Sequence, residues 1–130
     1  MEIQIIRARE THSQSLFACM ESLVVEMALL PSSRMLSDGA VRAHVRRRDA
    51  ANAPLFVAVD EAVVVGWCEI TAAFAPNAEH CGTLALGIVS SYRGKGIGRR
   101  LLNACLAHAK SIGMTRENYV AHRCNLPATL

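Results

Sequence analysis

Aromatic side chains are scarce in this chain: one Trp, two Tyr and three Phe among 130 residues. Surfaces that grip single-stranded nucleic acid interleave basic residues with aromatic ones on which bases stack. The one basic run here, Arg46-Arg47-Arg48, has no such neighbour and is followed at once by Asp49. It reads as a solvated helix face. The 14 Lys and Arg against 11 Asp and Glu leave a net charge of only +3, short of the clustered positive field that announces a nucleic-acid partner. Long apolar runs are missing as well. The longest, Ala62 to Cys68, has seven residues with Gly66 inside it, against roughly 18 for a membrane helix. Met1-Glu2-Ile3-Gln4 has neither the basic nor the apolar region of a secretory signal, so a cytoplasmic location is expected. The five cysteines, at 19, 68, 81, 105 and 124, are odd in number and form no C-x-x-C pair. A disulfide scaffold and a zinc site are not expected, and buried free thiols are.

What is present is a globular composition: 52% apolar and 19% charged. The length suits a single domain, 1–130, able to bury a sizeable core. Periodicity then divides the chain. Residues 2–8, with Ile3, Ile5 and Ile6, predict a strand. Thr11-His12-Ser13-Gln14 has the form of a capping box. Leu16, Met20, Leu23, Met27 and Leu30 follow at helical spacing until Pro31 stops them. Ser37 is a candidate N-cap for a second helix, with Asp38 in its first turn and Val41 and Val45 turned inward. Residues 55–59 and 63–71 predict a hairpin that turns at Asp60-Glu61. Cys81 to Val89 predicts a further strand. A helix to Ile112 follows, with Ile97, Leu101, Cys105, Ala109 and Ile112 on one face, and Glu117 to Cys124 predicts a last strand. The order is β-α-α-β-β-β-α-β.

The informative segment joins the fourth strand to the third helix: Arg93-Gly94-Lys95-Gly96-Ile97-Gly98. Glycines this dense let backbone come close to a ligand. The start of the helix behind them offers unpaired N–H groups and the positive end of the helix dipole, which together make an anion site. Arg93, Lys95, Arg99 and Arg100 add cationic side chains. The segment is not a Walker A loop. Nor is it a dinucleotide fingerprint, since the third glycine position of G-x-G-x-x-G falls on Arg99. The plain alternative is a glycine turn that merely joins strand to helix.

The pattern R-x-x-G-x-G, on Arg93, Gly96 and Gly98, within the stretch Leu84 to Leu102, resembles the acyl-CoA pyrophosphate motif of the GNAT acetyltransferase superfamily. The element order, the hairpin ending in Val65-Gly66-Trp67 and Asn125-Leu126-Pro127-Ala128 resemble that family too. The resemblance implies an α/β fold with a mixed, mostly antiparallel sheet flanked by helices. It implies acetyl-CoA as acyl donor, and no metal. By motif, Leu86, Gly87 and Ile88 would pair with the pantetheine arm. Arg93, Gly94, Lys95, Gly96, Ile97, Gly98 and Arg99 would hold the pyrophosphate, with Asn125 completing the site. An N–H near Ile88 would polarise the thioester carbonyl.

The implied activity is transfer of acetyl to a primary amine, of a small molecule or of a peptide, by direct attack; no nucleic-acid or membrane partner is implied. The basic segment Ser32 to Arg48 suits a carboxylate-bearing acceptor. An alkyl ammonium near pKa ~10 must lose a proton before it can attack. The candidate bases are His80, Glu79 and Glu69; His12, His44, His108 and His122 read as structural. The tyrosine that often serves the family as general acid would fall past Leu130, as would a fourth helix and two strands. Completion of the sheet by a second copy, a homodimer, is therefore one expectation. An acyl-CoA-binding or regulatory module without chemistry is the alternative function.

Overall fold

The chain runs through β1 (Ile3–Arg7), α1 (Ser13–Met27), α2 (Asp38–Ala50), β2 (Leu55–Asp60), β3 (Val63–Ala72), β4 (Gly82–Ile88), α3 (Ile97–Ser111) and β5 (Tyr119–Ala121). These elements come from a computed structural model whose described residues are 2–27, 37–72, 82–112 and 119–121. The succession is the one that periodicity predicts. The strands lie side by side in sequence order, β1 to β4 antiparallel and β5 parallel to β4. Pro31, expected to stop the first helix, lies outside the described residues.

Two apolar layers cover the sheet. On one face α3 lays down Ile97, Leu101, Cys105 and Ala109, four residues apart, against Cys68, Ile70, Leu86 and Ile88. Four-residue spacing stacks side chains along one side of a helix, which is why this stripe is buried throughout. Ile112, expected on the same stripe, instead caps the helix with non-helical dihedrals and is exposed. On the other face Leu16, Cys19 and Leu23 of α1 and Val41 and Val45 of α2 pack on Leu55, Val57, Val59, Val64 and Trp67. A bulge sorts β3 between the layers. Ala58 pairs with Gly66 and Val59 with Val64, so Val65 is the extra residue. Beyond it Trp67 and Glu69 face α1 and α2, while Cys68 and Ile70 face α3.

Local chemistry sets the element ends. Ser37 caps α2 as expected, its Oγ accepting from the Ala40 N–H at 3.0 Å. The box at Thr11 is not formed. A turn of 3-10 helix, Glu10–His12, precedes α1, and the Arg9 N–H donates to His12 Nδ1 at 3.0 Å. The imidazole reaches back three residues as a Glu or Gln would, which moves the cap two residues toward the N-terminus. The hairpin turns one residue later than expected. Glu61 and Ala62 have φ of 47° and 70°, the left-handed pair that a two-residue turn between twisted strands requires.

Candidate active site

β4 leads into the loop that the sequence singles out. Its outer edge is paired by β5 only at Gly82, Thr83 and Leu84. From Ala85 to Ile88 no described residue pairs with that edge, and since alternate residues of a strand turn their backbone groups outward, those of Leu86 and the Ile88 N–H are available to a ligand laid beside them, while Gly87 turns its own toward Trp67. Their side chains are committed inward: Leu86 and Ile88 are buried under α3. Gly87 lies across from its register partner Trp67. A Cβ at Gly87 would fall 2.5 Å from Trp67 Cζ3 and 2.9 Å from Leu23 Cδ1. Glycine is therefore the residue that keeps β4 flat under the indole.

After Ile88 the Val89 N–H donates to Val65 O at 2.9 Å, and a 3-10 turn, Ser90–Tyr92, brings the chain round. Side-chain bonds add to the backbone bonds of this turn. Tyr92 Oη donates to Asp60 Oδ2 at 2.6 Å, and that bond to a carboxylate raises the phenol's pKa. Arg93 Nε donates to Ile88 O at 3.0 Å, tying the loop to the end of the strand. Gly94 and Gly96 then adopt φ of 77° and 79°, and a Cβ at either would meet nothing within 4 Å. Conformation rather than crowding demands glycine at these two positions. Gly96 is the N-cap of α3 and offers no side chain, so the N–H groups of the first turn, Ile97, Gly98 and Arg99, have no side-chain cap. Lys95 and Arg99 are exposed beside them. Arg100 is not part of this group: its Nη2 donates to Ile3 O at 2.9 Å and ties α3 to β1.

Of the candidate bases, Glu79 and His80 lie outside the described residues, as does Asn125. Glu69 is on the α1/α2 face of β3, only 8% exposed. Its carboxylate is 2.5 Å from His44 Nε2 and 2.8 Å from Arg48 Nε. The Arg48 contact is an ion pair off the N–H direction; Arg48 makes its hydrogen bond through Nη2 to Ile70 O. Arg48 is thus turned into the protein, whereas Arg46 and Arg47 are the solvated face that the sequence predicts. His44, expected to be structural, is delivered by α2 to Glu69. The signal lies in His44 and Arg48, four residues apart on one helix face, but their target 21 residues beyond Arg48 is set by sheet register. His108, also expected to be structural, bonds Asn52 O through Nε2 at 2.8 Å and packs edge-on against Phe56.

Comparison with solved structures gives the class first. The N-acetyltransferase from Staphylococcus aureus Mu50 is 19% identical, with a TM-score of 0.79 over 93% of this chain and 73% of that one. YncA from Salmonella typhimurium, solved with its cofactor acetyl-CoA, is 18% identical, with a TM-score of 0.75 over 87% of this chain and 66% of that one. The PaiA N-acetyltransferase from Thermoplasma acidophilum, solved in complex with coenzyme A, is 19% identical, with a TM-score of 0.71 over 91% and 82%. The fold is that of the N-acetyltransferases. No curated protein matches the chain by sequence. The acetyltransferase (GNAT) family model matches residues 21–129, and the chain belongs to that family.

Proposed function

We propose that this protein transfers the acetyl group of acetyl-CoA to a primary amine, of a small molecule or a peptide, by direct attack and without a covalent enzyme intermediate. One observation carries the reading: a helix start without a side-chain cap, behind two left-handed glycines, stands at the end of a strand whose outer edge no described residue pairs from Ala85 to Ile88. The residues fit the donor. The open space beside Gly94 and Gly96 admits a pyrophosphate to the first-turn N–H groups. Lys95 and Arg99 supply positive charge at the surface. The freed edge of Leu86 to Ile88 matches an extended arm that carries amides. Acetyl-CoA, when bound, supplies the activated acetyl thioester. The protein's own part is to hold the two ends of the donor, to place an N–H of the β4 edge where negative charge develops, and to exclude water. Arg93 does this indirectly, by fixing the loop on Ile88 O.

Thermal unfolding with acetyl-CoA, CoA and ATP tests the reading. A ligand at ~100 times its dissociation constant adds about 2.7 kcal/mol, a rise of several degrees in Tm for a domain of this size. Acetyl-CoA and CoA are expected to raise Tm and ATP is not. An equal rise with ATP would reduce the loop to a general anion site, and no rise would end the reading.

A further inference from the structure

We propose that His44, held by Glu69, accepts the proton of the acceptor amine, with Glu69 and Arg48 as its positioning residues. This rests on the acetyl-transfer reading and supplies the proton acceptor which that reading lacks. The approach of the amine is the first consideration. A nucleophile that reaches a donor lying along the outer edge of β4 comes over one face of the sheet. The α3 face is filled by Leu84, Leu86 and Ile88. On the opposite face β4 presents Ala85 and Gly87, and Gly87 is covered by Trp67 and Leu23. Ala85, half-buried, is the opening left among the described residues.

Position follows from register. Ala85 pairs with Glu69, so their Cα atoms are about 5 Å apart and their side chains share that face. Chemistry follows from the pairing. The Glu69 carboxylate, ionised against Arg48, accepts only, so the imidazole nitrogen 2.5 Å away, Nε2, carries the hydrogen. Nδ1 is left with the lone pair, on a side chain that is 34% exposed. Exposed Arg47 Nη2 donates to Nδ1 at 3.5 Å, and this arm must swing out to solvent before the amine can take its place. Arg46 is drawn away to Glu10 at 3.6 Å. A buried carboxylate behind an imidazole, with the lone pair on the outer nitrogen, is how proteins orient histidine as a base. In the step, one N–H bond of the ammonium breaks and its electron pair stays on the amine nitrogen. An Nδ1–H bond forms, and the imidazolium lies against the Glu69 carboxylate. The proton passes to solvent once product has left.

Calorimetry with acetyl-CoA, thiol release with methylamine as probe amine, and the histidine nitrogen spectrum of the free protein test this together. In the free protein neutral His44 is expected to carry its hydrogen on Nε2, with Nδ1 bare. His44→Gln is expected to leave acetyl-CoA affinity unchanged and to lower the methylamine rate by roughly 10²- to 10⁴-fold. Added imidazole is expected to restore turnover to His44→Ala, which a merely structural side chain would not allow. The proposal is overturned if wild type binds acetyl-CoA but does not accelerate its reaction with methylamine. It is equally overturned if His44→Gln keeps the wild-type rate and pH profile, or if the hydrogen is on Nδ1. If acetyl-CoA does not bind to wild type at all, the acetyl-transfer reading fails and takes the proposal with it.

Discussion

Gly87 and Gly96 are both glycine for reasons a sequence alone does not separate. At Gly96 the backbone is left-handed and the surrounding space is open, so the constraint is conformational and visible as a motif. At Gly87 the constraint is the Trp67 indole on the neighbouring strand, which only the pairing of β3 with β4 brings there. Gly87→Ala is expected to destabilise the protein by about 1–3 kcal/mol, the usual range for overpacking a filled site. The same substitution should also blunt the stabilisation by acetyl-CoA, because the strand that must shift carries the donor edge. Urea unfolding with and without acetyl-CoA measures both effects; an unchanged midpoint would mean that the indole moves aside freely. Glu69 makes the same point for charge. As a lone Glu on a strand it is one of three candidate bases, and its two partners, His44 and Arg48, come from another element.

The start of α1 shows how an element's end can depend on a proton. His12 Nδ1 accepts the Arg9 N–H, so the bond exists only while that nitrogen is bare. Burial, with the positive charge of Arg9 as the lesser cause, lowers the pKa of His12 below its ordinary value of 6.5. The unfolded chain then binds more protons than the folded one in this range. The contribution of His12 to stability is therefore present above pH 6.5 and is lost as pH falls through the lower folded value. Tm measured from pH 7.5 down to 5 is expected to fall less steeply in His12→Asn, whose side-chain oxygen can accept the same bond without titrating. Parallel curves would show that the turn does not sense the proton. The capping pattern at Thr11 was legible and misplaced, because a histidine took the part that the pattern gives to Gln14. By contrast Ser37 caps α2 as read, since its bond spans three residues and needs no partner from elsewhere.

The sheet separates two cores, and a thiol reports on each. Cys19 of α1 is buried in one, and Cys68 and Cys105 are buried in the other. Burial pushes the Cys19 thiol up to about 12. Cys68 is raised too, first by the hydrogen bond with Cys105 and then by burial. Reactivity belongs to the thiolate, so Cys19 and Cys68 are not expected to alkylate in the native protein at pH 8, and Cys105, fully buried, is out of a reagent's reach. With rising urea, peptide mapping is expected to find Cys19 and the Cys68–Cys105 pair labelled with one midpoint, because both cores share the sheet. Two midpoints would show layers that open separately. Across the molecule, the element order, the buried stripe of α3 and the glycine loop were written in periodicity and in residues near one another in the chain, where backbone dihedrals and helix geometry act. Strand register, the bulge at Val65 and the turn of α2 onto β3 were not. They arise from pairing between segments far apart in sequence, and it is that pairing which puts His44 on Glu69, Glu69 beside Ala85, and Trp67 over Gly87.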